Sequence, residues 1–264
     1  HRVTIFAPSV GGAAMFRASP CRIVLARVAG NASDTVSMVR TRIDALKAAL
    51  LASDPASFAV LHAQDSISGN ALAELRHDGA IRGFVRTVHH LDDFAVPRLA
   101  EWQRRAYADA DAVYCVSDAW TGRMQRDFGV NAVTVTNGVD LTRFTAKRDA
   151  TDTALLARFG MVGAPVVLAV GGIEERKNTL QLLEAFALLR QTHVDAQLVV
   201  AGGASLLDHD AYGRRFFERA AALNLALGAG CPIVVTGPLD DEVMPALLRR
   251  ADVVSMVSLR EGFG

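Results

Sequence analysis

The sequence predicts an α/β chain built from two doubly wound parallel sheets, and three observations predict it. Runs such as "PVVLAV", "AQLVVAGG" and "PIVVTG" are continuously apolar, the mark of strands covered on both faces. Segments of helical period separate them, so strand and helix alternate along the chain. At 264 residues, half of them hydrophobic, the chain exceeds the roughly 100–200 residues usual for one domain. Two domains are expected.

Taken in order, "HRVTIFAP" opens the chain as a strand-like run. "DTVSMVRTRIDALKAALLASDP" then sets Val36, Val39, Ile43, Leu46 and Leu50 on one helical face, with Asp34 at the N-cap position and Pro55 as the stop. "FAVLHAQD", "GFVRTVHH", "AVYCVS" and "AVTVTN" follow as strands, and after the three runs quoted above "DVVSMVS" is the last. "NGVDLTRFTAKRDATDTALLARFGMVGAP" lies between the halves. It has a turn signal, mixed charge and a short helix ending at Gly160, and reads as the interdomain connection. "ADAVYCVS" and "ADVVSMVS" echo one another, which suggests a duplicated half.

The charge balance excludes little but is informative. Twenty-eight basic residues match twenty-eight acidic ones, so no global field draws the chain to nucleic acid, and no nucleic-acid partner is expected. Cys21, Cys115 and Cys231 have no CxxC spacing, which fits buried thiols in a reducing compartment. There is no signal-peptide layout and no apolar stretch of transmembrane length. A cytoplasmic location is expected.

Ligands of open α/β sheets bind beyond the carboxyl ends of the strands. Those positions hold Gln64, Asp65, His89, His90 and Ser117 in the first half. In the second half they hold Gly171 and Gly172, Gly202 and Gly203, Gly237, and finally Glu261 with Gly262 and Gly264. "VVLAVGGIEERKNTLQLLEAF" is the most suggestive stretch. Two glycines permit close backbone approach, and Asn178 with Gln181 has the spacing of a capping box. The helix from Thr179 turns its positive end toward Lys177 and Arg176. That construction suits a diphosphate. Lys177 would serve equally as a solvated lysine paired with Glu174 or Glu175. The loop is neither a P-loop nor a GxGxxG dinucleotide site.

In combination these segments resemble family 4 retaining glycosyltransferases of the GT-B fold. "TNGVDLTRF" resembles the family's hinge signature, and "VLAVGGIEERKNTLQLLEAFALL" its donor-phosphate loop and helix. "VVTGPLDDEVMPALLRRADVVSMVSLREGFG" resembles the run into its two-glutamate motif, and "RTVHH" and "ADAVYCVSDAWTGRM" match segments of its first domain. The resemblance implies two Rossmann-like domains with the active site between them, residues 1–140 on the acceptor side and 141–264 on the donor side. It implies that Lys177 contacts the diphosphate of a nucleotide-sugar donor and stabilises it as it leaves. Glu261 would accept hydrogen bonds from the donor sugar, which the backbone of Phe263 and Gly264 helps to hold. His89 would sit near the reactive carbon, and Gly237 to Leu239 near the nucleobase. No cofactor and no metal ion are implied.

The departures carry expectations of their own. Family members often place arginine where this chain has Gly172, so Arg176 is the candidate substitute. "HRVTIFAP" resembles the family's second strand, so its first strand would precede His1, and the second glutamate of its motif would follow Gly264. Alternatives of other classes are a GT-B epimerase or phosphorylase, and a non-catalytic sugar-nucleotide-binding fragment. The acceptor and the donor's base and sugar are not legible. Asp65 and Asp92 are further acceptor-side candidates, and His62 reads as structural. "PRLAEWQRRAYADA" mixes acids with bases and gives no clear membrane anchor. Peripheral contact at the inner membrane face stays open.

Overall fold

The computed structural model describes residues 2–11, 19–29, 32, 34–203, 210–261 and 263. The chain divides after Asn137 into two compact units.

The first unit runs β1 (Thr4–Ser9), β2 (Arg22–Arg27), α1 (Thr35–Leu51), β3 (His62–Ala63), α2 (Ser66–His77), β4 (Val85–Val88), α3 (Pro97–Ala108), β5 (Ala112–Cys115), α4 (Asp118–Phe128) and β6 (Ala132–Thr134). β1 pairs with β2 in a sheet of their own, and β3-β4-β5-β6 form a second sheet; every pairing is parallel. The strand "RIVLAR" is absent from the sequence expectation because arginines at both ends disguise its apolar centre. α1 forms as its periodicity predicts: Asp34 accepts from the Ser37 N–H at 2.9 Å, and Ile43, Leu46 and Leu50 are buried. The apolar face of α3 is spent inside the unit on Leu99, Trp102, Ala106 and Tyr107. Glu74 on α2 joins the helices by accepting from Arg40 of α1 at 2.6 Å and Arg105 of α3 at 3.0 Å.

The second unit runs α5 (Asp152–Leu156), β7 (Val166–Val170), α6 (Thr179–Leu189), β8 (Gln197–Ala201), α7 (Asp210–Ala222), β9 (Ile233–Val235), α8 (Val243–Arg250) and β10 (Val253–Ser255). Its sheet is parallel, in the order β10-β7-β8-β9. Alternation along the strands explains their continuous hydrophobicity. Val167, Ala169, Leu198, Val200 and Ile233 face α6 and α7 in one core, while Val166, Leu168, Val199, Ala201 and Val234 face α5 and α8 in the other. Burying Leu183 and Phe186 of α6 in the first core stabilises the unit by about 1.5–3 kcal/mol each.

Three expectations need correction here. The segment after Gly138 packs as part of the second unit: Asp152 pairs with Arg249 at 2.6 Å and Arg143 with Asp241 at 2.7 Å. The echoing strands hold unlike places, since β5 lies between β4 and β6 while β10 pairs only with β7 among the described residues. Of the three free thiols only Cys115 is fully buried. Among the described residues no helix is long and apolar enough to cross a membrane.

Candidate functional site

The opening loop of the second unit leaves β7 through Gly171 and Gly172, at φ 116° and 77°, in the region that favours glycine. Both N–H groups donate to the Ala201 carbonyl at the end of β8, at 2.8 and 3.1 Å. The glycines are required for space as well. A Cβ on Gly171 would stand 2.3 Å from Lys177 Cε, so the lysine stem lies directly over the bend. A Cβ on Gly172 would stand 2.3 Å from the Gly203 carbonyl oxygen. The backbone as folded therefore has no room for the arginine that the family resemblance would put there.

Asn178 departs from expectation. It sits at the first position before α6 but in the left-handed region, φ 57°, and its side chain caps nothing. Its side-chain amide donates to the Val257 carbonyl at 3.3 Å, and exposed Gln181 completes no capping box. The tertiary tie outweighs the local cap. The Tyr212 hydroxyl takes the Leu180 N–H at 3.0 Å instead, a partner 32 residues away that the local pattern could not disclose. Thr179 Oγ1 at the helix start is buried without a hydrogen-bond partner among the described residues.

A second tie, Leu259 N–H to the Arg176 carbonyl at 2.9 Å, lays the segment after β10 beside the loop. It delivers Glu261. Lys177 Nζ lies 2.7 Å from Glu261 Oε1, and Arg176 Nη1 lies 3.0 Å from Glu261 Oε2. Arg176 also reaches buried Glu174 at 3.6 Å. Lys177 therefore pairs with neither Glu174 nor Glu175, and the two residues singled out from opposite ends of this unit's sequence meet. Burial alone would raise the Glu261 carboxyl, but hydrogen bonds from Lys177 and Ser258 and the charges of Lys177 and Arg176 outweigh it, holding it below the usual carboxylate value. It is an anion at neutral pH.

Gly237 follows β9 at φ 67° and bridges to Gly202, with open space where a side chain would stand. The Leu239 side chain leans on the α5–α8 core. Phe263 is exposed. Gly262 and Gly264 lie outside the described residues.

In the first unit, His89 stands just beyond β4, half-buried, with Nε2 2.9 Å from Gln64 Oε1. Burial, and then the charge of Arg86, push its imidazole below the ordinary value, so the ring is neutral at pH 7. His89, His90, Gln64, Asp65, Asp92 and Arg86 are among the residues lining a cavity of about 240 Å³. Asp65 has local work, since it caps α2 by accepting from the Ser68 N–H at 2.6 Å. Asp92 lies 3.5 Å from His90. His62 makes a structural contact, 2.7 Å from Thr87 Oγ1. Arg86 is absent from the sequence expectation. The available signal was a lone charge inside the strand "GFVRTVHH".

With this geometry in hand, comparison with known proteins is decisive. Residues 1–143 match the family model described as Glycosyltransferase Family 4. The chain belongs to that family. Residues 160–264 match the model Glycosyl transferases group 1. A GDP-mannose-dependent phosphatidylinositol monomannoside mannosyltransferase of Mycolicibacterium smegmatis is 31% identical over 163 residues, covering 61% of this chain and 40% of that protein. The phosphatidylinositol dimannoside mannosyltransferase of Mycobacterium tuberculosis is 27% identical over 215 residues, covering 77% and 52%. Across the curated relatives it matches, the chain spans only 35–52% of their length. Among solved structures, sucrose-phosphate synthase from Thermosynechococcus elongatus superposes with TM-score 0.76 at 22% identity, over all of this chain and 67% of that one. Anabaena HepE with UDP-glucose gives 0.72 at 17%, over 92% and 62%. The fold of this family 4 member is GT-B, with a Rossmann-like parallel sheet in each unit.

Proposed function

We propose that this chain carries the donor loop and an acceptor pocket of a retaining glycosyltransferase, moving a sugar from a nucleoside-diphosphate sugar to an acceptor. Residues 1–140 would serve the acceptor and residues 141–264 the donor. The observation that carries this reading is the 2.7 Å pairing of Lys177 with Glu261 over the Gly171–Gly172 bend. One cation and one anion stand side by side where two strands end, which is what a sugar joined to a diphosphate requires.

In this reading the Lys177 ammonium neutralises the charge that grows on the departing nucleoside diphosphate. The diphosphate competes with Glu261 for that ammonium, and the carboxylate then accepts from hydroxyls of the donor sugar. Arg176, already on the same carboxylate, supplies the second positive charge that Gly172 cannot. Gly237 and Leu239 would offer their backbone to the base, and the family resemblance adds backbone contacts from Phe263 and Gly264 to the sugar. Neutral His89 offers a ring nitrogen beside the acceptor. Relatives named for GDP-mannose and a neighbour solved with UDP-glucose support a nucleotide sugar without choosing its base. Unpaired cysteines fit work in the cytoplasm, and a lipid-borne acceptor would bring the enzyme to the inner membrane face.

Calorimetry of the chain with UDP, GDP and ADP, before and after Lys177→Ala, tests the donor site. One of the three is expected to bind and to lose at least tenfold in affinity in the variant. Equal binding to both proteins would remove Lys177 from the site.

A further inference from the structure

Arg86 is the one charged residue inside β4, and only 3% of its surface is exposed. Among the described residues its guanidinium has a single hydrogen-bond partner, the Thr87 carbonyl, and no carboxylate within ion-pair distance. A buried cation without a counter-ion is costly, and proteins ordinarily pair it. Asp65, the acid whose charge it feels, is held by the N-terminus of α2. Burial pushes the guanidinium down to about 10, so it keeps its charge at neutral pH. Its remaining N–H donors form a planar fork suited to a two-oxygen anion.

The surroundings define what else such an anion carries. Arg86 lines the 240 Å³ cavity with His89 and Gln64, which can exchange hydrogen bonds with hydroxyls, and with Asp65 and Asp92, which accept them. Phe94 and Leu99 supply apolar wall. Trp102, another wall residue, has a buried indole N–H with no acceptor among the described residues. Arg86 and Trp102, each carrying a donor without an adequate partner among the described residues, thus both line one hollow.

We propose that this cavity is a subsite for a hydroxylated small molecule bearing an oxyanion, a sugar phosphate or a sugar acid, with Arg86 gripping the anion. Naming that molecule the acceptor rests on the glycosyl-transfer reading above; the binding itself does not.

The test titrates the chain with glucose 6-phosphate, glucuronate and glucose. At least one anion is expected to bind about tenfold or more tightly than glucose, and which one does so separates phosphate ester from carboxylate. Arg86→Gln should erase that preference, while Lys177→Ala should keep it. Nucleoside diphosphate should show the reverse dependence, so failure of the donor site and failure of this subsite read out separately. If glucose binds as well as both anions, or if the preference survives Arg86→Gln, the subsite is refuted. Should Arg86→Gln not fold, Arg86→Lys takes its place. It keeps the charge and loses the fork, and is expected to weaken the anion roughly three- to tenfold; unchanged affinity would overturn the proposal.

Discussion

Lys177, on the loop before α6, and Arg86, within β4, are both cations, and they live under opposite conditions. Lys177 is 2.7 Å from one carboxylate, which it shares with Arg176, and lies over a glycine bend. Arg86 is almost wholly buried and, among the described residues, hydrogen-bonds only a carbonyl. The first arrangement is satisfied without ligand, so an anion must compete for it and can leave again. That suits a group that departs during the reaction. The second is left wanting, so an anion completes it, which suits a group that is held.

Four experiments would break or sharpen this contrast. The largest effect expected is on turnover: Lys177→Ala in the enzyme should cost a factor of about 10²–10³, comparable to losing a transition-state donor. Arg176→Ala, 42% exposed at its side chain, should cost less than about tenfold. Equal losses would mean that the two share the role. Next, Gly172→Arg should not rescue the missing family cation. A side chain there meets the Gly203 carbonyl at positive φ, and thermal denaturation should show a loss of about 2–3 kcal/mol.

A smaller effect concerns the helices behind the cavity. Burial alone would raise Glu74, but hydrogen bonds and charge from Arg40 and Arg105 hold it at about 2, against 4.5 unfolded. A depressed carboxylate contributes stability that is present above pH 4.5 and lost as pH falls toward 2. The full shift is worth about 3 kcal/mol, and screening around its partly exposed partners leaves about 1–2 kcal/mol. Urea denaturation of Glu74→Gln should lack that acid-side decline, and a wild-type slope in the variant would reassign it. The smallest effect is spectroscopic. The His89 ring should titrate below 6.5 by NMR and move partway back in Arg86→Gln, because burial and then that guanidinium disfavour its proton. Stability that depends on the neutral ring is present above pH 6.5 and falls as the solution is acidified. A midpoint unmoved in the variant would place the cation elsewhere.

The alternation of strands and helices, the Asp34 cap and the places of Lys177, Glu261 and His89 could be read from the chain, because periodicity and motif order are local. What escaped reading was set by distant partners. Asn178 has the identity of a cap, but a carbonyl 79 residues away claims its side chain. Arg86 was hidden by its setting, as a charge within a strand looks like an edge residue until burial is known.

The two ties from Arg176 and Asn178 to the segment after β10 have a mechanical consequence. The loop proposed to hold a diphosphate and the acid proposed to hold a sugar are thereby joined by hydrogen bonds and not set independently. In the proposed reading, a donor that drew the lysine inward would re-aim the carboxylate in the same movement, so both ends of a nucleotide sugar would be sensed together.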